Sequence, residues 1–220
     1  MSELVLIATP ARKTTPEQLL EMNGQVVADF TYPDFHRRVW LNEQPWHPNK
    51  YEPNARARNQ FIERFLGRDY DYVLWMDADI IDAPRDLIER LIAISEERNG
   101  AIVAPMVWME RVKDGPVSLD TGGWFYDTGG FIDVDGHYAN FHSGVAGNGY
   151  LAQMRSVGTC YLVPAVLYRR GLRYRPEGSE VEHLSFCRAA AEAGTEIYAA
   201  RTLNVTHAYL PKYGEAWHSS

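Results

Sequence analysis

Short apolar runs without alternation mark the first half of the chain, and amphipathic stretches separate them. Residues 4–8 (Leu4, Val5, Leu6, Ile7, Ala8) form the first run, the pattern of a strand covered on both faces, and Thr9-Pro10 closes it. Thr15-Pro16-Glu17-Gln18 then offers a cap, a first-turn proline and a capping-box glutamine, so a helix is predicted to about Met22, stopped by Asn23-Gly24. A second strand is predicted over 25–30. Residues 33–53 hold prolines, Trp40 and Trp46 and little periodicity, which predicts an irregular connection with a short strand over 38–41. From Asn54 to about Leu66, Phe61, Ile62, Phe65 and Leu66 share one helical stripe, with Arg58 and Asn59 off it and Gly67 as the stop. Val73-Leu74-Trp75-Met76 is the next apolar run. A helix over 84–97 with Leu87, Ile88, Leu91 and Ile92 inward follows, then a strand over 101–104 ended by Pro105.

Strand, helix, strand at this spacing predicts an α/β domain built on a mostly parallel sheet with right-handed crossovers. Ligands of such sheets lie beyond the carboxyl ends of the strands, which puts Thr9, Pro10 and Arg12 near a bound nucleotide. After Pro105 the texture changes: glycine, aromatic and acidic residues dominate 108–149 without a helical period, suited to the walls of a site. Strand character returns over 158–163, and 166–170 reads as a turn of helix. Ser179-Glu180-Val181-Glu182 fits a capping box for a helix carrying Leu184, Phe186, Cys187 and Ala190, closed by Gly194. Short strands over 196–200 and 203–205 lead to His207.

The chain of 220 residues is long enough for one substantial core, read as a single domain over 1–220, and 45% hydrophobic with 23% charged residues is the composition of an ordinary globular protein. A net charge of −7 argues against a general nucleic-acid binder, although arginines gather locally at Arg56, Arg58 and Arg64 and again at Arg169, Arg170, Arg173 and Arg175. The N-terminal run is too short and too poorly flanked for a signal peptide or membrane span, which gives the expectation of a cytoplasmic protein. Cys160 and Cys187 lie in core-like segments and read as buried thiols.

The chemistry concentrates where the apolar run 73–76 ends in Asp77-Ala78-Asp79. In an extended backbone residues i and i+2 face the same side, so both carboxylates can converge on one divalent cation while Ala78 points away. Oxygen ligands of this kind suit Mg2+ or Mn2+. Asp82-Ala83-Pro84 alternatively offers a helix start. Asp120, Asp127, Asp133 and Asp135 recur among glycines, and Trp124-Phe125-Tyr126 offers flat faces for packing. Asp133-Val134-Asp135-Gly136 lacks the later glutamate of a calcium loop and is discounted as one.

Two segments together, Asn54-Ala-Arg-Ala-Arg58-Asn59 and Tyr72-Val-Leu-Trp-Met-Asp77-Ala-Asp79-Ile80, resemble the nucleotide-sugar-dependent glycosyltransferases of GT-A fold, most of all the fungal mannan polymerase (Anp1-like) mannosyltransferases. The run Glu182-His183-Leu-Ser-Phe-Cys-Arg-Ala-Ala-Ala-Glu-Ala-Gly194 is similar to the helix that carries the acceptor-side acidic residue in many such enzymes. The resemblance covers roughly residues 54–207. It implies a Rossmann-like GT-A domain whose nucleotide-binding half is 1–105 and whose acceptor-side half is 106–220. It further implies that Asp77 and Asp79, completed by His207, hold Mn2+ or Mg2+ against a donor diphosphate. Arg58, Asn59 and Lys212 would assist the donor, and Glu182 or His183 would act as base toward the acceptor hydroxyl; family members commonly carry Glu-Asp where this chain has Glu182-His183. Mannan-type members retain anomeric configuration, so stereochemistry stays open. Those relatives carry a membrane anchor that this chain lacks at its start, which suggests a bacterial or viral setting with a saccharide, metabolite, protein or hydroxylated DNA base as acceptor. Two other readings stand beside this one: a nucleotidyltransferase making the sugar nucleotide, whose glycine-rich loop Thr9-Pro10-Ala11-Arg12 does not reproduce, and a non-catalytic nucleotide or sugar binder.

Overall fold

The structure, a computed structural model, describes residues 2–12, 15–42, 51–111, 124–125, 130–137, 149–177 and 180–209. Strand β1 (Val5–Arg12) is followed by helix α1 (Glu17–Ala28), β2 (Phe35–Asn42), α2 (Tyr51–Phe65), β3 (Tyr72–Met76), β4 (Ile80–Asp82) and α3 (Leu87–Glu97). The second half adds β5 (Ile102–Arg111), β6 (Trp124–Phe125), β7 (Ile132–Asp133), β8 (Leu151–Ser156), β9 (Cys160–Pro164), α4 (Ala165–Arg169), α5 (Glu182–Glu192) and β10 (Ile197–Tyr209).

Among the described residues the strands form one mixed sheet in the order β2-β1-β3-β9-β5-β10-β8-β7, with β4 on β10 and β6 on β5. Its two longest ladders, β1 with β2 and β5 with β10, are parallel. Antiparallel β9 joins the two parallel groups by pairing with β3 on one side and β5 on the other. Strand β3 is buried along its whole length, as its unbroken apolar run requires, and α3 covers the sheet with Leu87, Ile88, Leu91 and Ile92. At about 1.5–3 kcal/mol for each such side chain removed from water, burial of this kind is the main force holding the layers together. No helix among the described residues is long and apolar enough to cross a membrane.

Several boundaries differ from expectation, each for a local reason. Helix α1 does not stop at Asn23-Gly24 but runs to Ala28, because its buried face continues from Leu19 through Asn23 to Val27. The segment 25–28 of the strand expected over 25–30 is therefore helix, and the strand beside β1 is β2, longer than the expected 38–41. Helix α2 starts at Tyr51 rather than Asn54, with Pro53 in its first turn where no N–H is missed. The capping box expected at Thr15 does not form, since α1 is preceded by Pro16 with no side-chain cap and Thr15 Oγ1 instead accepts the Arg12 N–H at 2.9 Å; the one expected at Ser179 begins outside the described residues. The two short strands expected at the end are the single strand β10, whose register shifts between Ala200 and Asn204 beside Pro105 of β5. A proline has no N–H for the ladder, and an irregular neighbour accommodates that loss.

Candidate functional site

Strand β3 ends at Met76, and the next four residues turn back on themselves, with the Ile80 N–H donating to the Asp77 carbonyl at 3.1 Å. Asp77 and Asp79 are thus presented by a tight turn rather than by an extended backbone, which corrects the alternation argument; Ala78 is buried beneath them. The turn is tied on both sides. Its Asp77 N–H donates to the Thr159 carbonyl at 3.1 Å, and its Asp79 carbonyl accepts the Ala208 N–H at 2.8 Å. Thr159 has φ +61°, a left-handed conformation that a β-branched residue rarely adopts, so the loop before β9 carries backbone strain directly beside Asp77.

Strand β10 brings His207 to this turn, with Nε2 3.0 Å from Asp79 Oδ1. Helix α2 contributes Arg58 from below. Its Nη2 donates to Asp77 Oδ1 at 3.3 Å, and its Nε lies 3.5 Å from Glu182 Oε1 in the first turn of α5. The guanidinium also lies over Trp75, 4.7 Å from the ring centroid, and 5.8 Å from that of Tyr174. Arg58 is only 6% exposed, as befits a planar cation clamped between two carboxylates and two rings. Burial opposes its charge, but Tyr161, Asp77, Glu182 and Tyr174 together outweigh that and hold it protonated well above its ordinary range. Asp77 goes the other way: desolvation, reinforced by Asp79 and Glu182, pushes its carboxyl up to about 7 despite the opposing pull of Arg58 and His207.

The sequence-derived residues therefore meet in part. Asp77, Asp79, His207, Arg58 and Glu182 form one connected cluster, with His183 buried next to Glu182 and its Nε2 without a hydrogen-bond partner among the described residues. Thr9, Pro10 and Arg12 lie where β1 outruns β3, whose pairing with β1 ends at Ala8 and Trp75, so they continue toward the level of the Asp77 turn. Thr9 Oγ1 is buried and unpaired among the described residues. Asn59 is occupied elsewhere, its amide exchanging two hydrogen bonds with the backbone of Tyr174. Lys212, Asp120, Asp127, Tyr126 and Ser179 lie outside the described residues.

Two kinds of residue escaped the sequence reading. One is the hydroxyl cluster beneath Arg58, in which Trp75 Nε1 donates to Tyr168 Oη at 2.7 Å and Tyr174 Oη joins Tyr168 and Tyr161 at 3.1 and 2.8 Å. No local pattern announces it. The other is Asn23, a polar residue at core spacing between Leu19 and Val27; that misfit is the available signal, although beside Gly24 it has the pattern of a helix stop. A separate trio, Asp133, Asp135 and His137, brings its ligand-type atoms within 4.8 Å of one another. Asp133 Oδ1 there accepts the backbone N–H groups of Asp135 and His137 at 3.0 and 2.8 Å, the hydrogen bonding of a surface turn. Asp77, Asp79 and His207 are less tightly gathered, because Asp77 faces Arg58 while Asp79 faces His207.

A mixed sheet with an acidic turn after a central strand and a histidine on the last strand is the GT-A architecture, and comparison with solved structures agrees. The chain superposes on the crystal structure of GalNAc-T7 with UDP, GalNAc and Mn2+ at TM-score 0.60 and 12% identity, over 94% of this chain and 43% of that one. It superposes on S. aureus TarS at TM-score 0.56 and 13% identity, over 94% of this chain and 37% of that one. The chain thus spans less than half the length of either neighbour, and shares its fold. In sequence, residues 46–139 match the Anp1 family model, a span that holds Arg58, Asp77 and Asp79 and ends before Glu182 and His207. A search among curated proteins gives no match.

Proposed function

We propose that this chain is a metal-dependent glycosyltransferase that moves a sugar from a nucleoside diphosphate to a hydroxyl acceptor. The observation that carries the reading is the cluster itself: an acidic turn at the end of β3, an imidazole from β10, and a buried arginine joining that turn to the first turn of α5. The fold and the Anp1 match support the reaction class, and the neighbour crystallised with UDP and Mn2+ supports a divalent cation and a nucleotide donor. The residues fit such a cation, since two carboxylates and one imidazole form a hard, oxygen-rich donor set suited to Mn2+ or Mg2+. Desolvation, with Asp79 and Glu182 adding to it, holds the Asp77 carboxyl up, and a cation bound there would favour its charged form.

Asp77, Asp79 and His207 would hold the cation, which when bound stabilises the departing diphosphate as a Lewis acid. Arg58 holds Asp77 and Glu182 in place from beneath. Thr9, Pro10 and Arg12, at the end of β1, line the approach of the nucleotide, while α5 presents Glu182 and His183 toward the acceptor, either of which can take the proton of its hydroxyl. A saccharide is the acceptor this reading favours; the acidic net charge works against a hydroxylated base in DNA.

Thermal-shift measurements with UDP and with GDP, each with and without Mn2+, test the proposal, because a ligand that binds only the folded state raises its melting temperature. Stabilisation that requires both nucleotide and Mn2+, and that Asp79→Ala removes, is the expected result. Equal stabilisation without metal, or none by either nucleotide, refutes it.

A further inference from the structure

Asn23 is completely enclosed, at 0% exposure, although it lies on the apolar face of α1. An amide in that position is costly unless each of its groups is bonded. Its Nδ2 donates to the Asp77 carbonyl at 3.2 Å and to the Ile80 carbonyl at 3.0 Å, and its Oδ1 accepts from Arg37 Nη2 on β2. The orientation is forced, because a guanidinium has only donors: the oxygen must face Arg37, so the NH2 must face the turn. Gly24 leaves room for this approach, since a Cβ at that position would stand 3.3 Å from Arg37 Nη1, a tight contact. The two carbonyls gripped by Asn23 belong to the first and last residues of the turn that carries Asp77 and Asp79. Turns at strand ends ordinarily take their shape from their own sequence and their own hydrogen bond. This one is also held from inside the protein by a side chain 54 positions earlier.

We propose that Asn23 is a positioning residue for the cation site, fixing the 77–80 turn from below, with Arg37 as the residue that aims its amide. The proposal rests on the reading of Asp77 and Asp79 as cation ligands; Asn23 itself touches neither cation nor substrate. A leucine would fill the same position on α1 with less desolvation cost, so the amide is there for the turn rather than for packing.

The test is titration of Mn2+ alone into the full chain, with free Mn2+ counted by electron paramagnetic resonance, for the unaltered protein, Asn23→Asp and Arg37→Met. Circular dichroism and melting temperature are recorded on the same samples. Asn23→Asp keeps the shape but sets an acceptor against two carbonyls, and is expected to weaken Mn2+ binding about tenfold or more, the range seen when groups that orient metal ligands are altered. Arg37→Met leaves Asn23 in place but frees its amide to turn over, and is expected to weaken binding by a smaller factor. A purely structural Asn23 would lower the melting temperature and leave the Mn2+ affinity of both folded variants unchanged, and that result overturns the proposal. If Asn23→Asp does not fold, Arg37→Met decides by the same criterion. Absence of Mn2+ binding in the unaltered protein overturns the cation reading and the proposal with it, whereas equal binding by all three proteins overturns the proposal alone.

Discussion

Asn59 and Tyr174 pair as two strand residues would: Asn59 Nδ2 donates to the Tyr174 carbonyl at 2.9 Å, and the Tyr174 N–H donates to Asn59 Oδ1 at 3.0 Å. A side chain on α2 thereby satisfies both main-chain groups of a residue 115 positions away, and fastens the segment that leads into α5. Asn59→Ala leaves both groups without their partner, a loss of about 2–3 kcal/mol. Calorimetry should show a melting temperature lower by roughly 5–10 °C for a domain of this size. Asn59→Asp keeps the acceptor but sets a carboxylate oxygen against the Tyr174 carbonyl, and should lower the melting temperature at least as far.

Arg58 answers to Asp77 and Glu182 at once, so its removal strands a carboxylate that is 6% exposed at the side chain. Arg58→Met is expected to cost about 3–5 kcal/mol in urea unfolding, the range for breaking a buried ion pair from one side. The double variant Arg58→Met with Glu182→Gln should recover part of that loss, because no unpaired buried charge remains. Arg58→Lys should not substitute well, since a single ammonium does not match the planar fork that faces two carboxylates.

The raised pKa of Asp77, about 7 against 3.8 in an unstructured chain, fixes the sign of two pH effects. Between those values the folded protein holds a proton that the unfolded chain has lost, so this group's contribution to stability falls as pH rises through the window. Asp77→Asn, facing the same Arg58, Asp79, His207 and Glu182, should therefore match the parent in melting temperature only below the unfolded value of 3.8, gain on it steadily as pH rises toward about 7, and keep that gain above it when no divalent metal is present. Metal binding runs in the opposite sense, because the cation must displace that proton; Mn2+ affinity should weaken as pH falls below about 7.

His207 lies 3.0 Å from Asp79 and on a strand that pairs with β4 just after the turn. His207→Ala and Asp79→Ala should each abolish the metal-dependent part of any nucleotide-induced thermal shift. Asp79 keeps 34% of its side chain exposed, so its replacement should leave the unliganded melting temperature nearly unchanged. A large loss of stability in Asp79→Ala would point to a structural role instead.

The apolar runs that became β1, β3 and the start of β5 were plain in the sequence, because a strand buried on both faces has no competing pattern. The same holds for Asp77 and Asp79, set off abruptly by the run before them. What was hidden depended on distant residues. Asn23 looks like a helix stop until its partners on the 77–80 turn and on β2 are seen, and β2 itself, with exposed Val39 and Leu41 among arginines, has the weak alternation of an edge strand. Arg58 and Asn59 were found for the motif they share, yet their placement depended on Tyr174 and Glu182, which lie more than a hundred residues later. Side chains that answer to tertiary partners leave no trace in local periodicity.

The irregular stretch between Ala200 and Asn204 gives β10 a hidden phase setting. Upstream of it the strand pairs with β8 and the early part of β5, and downstream it delivers His207 beside Asp79. Because successive side chains of a strand point to opposite faces, deleting one residue from 201–203 would exchange the sides occupied by His207 and Ala208. The protein would then retain its sheet and lose its imidazole at the acidic turn, so the length of that short interval is under the same constraint as the residues of the site.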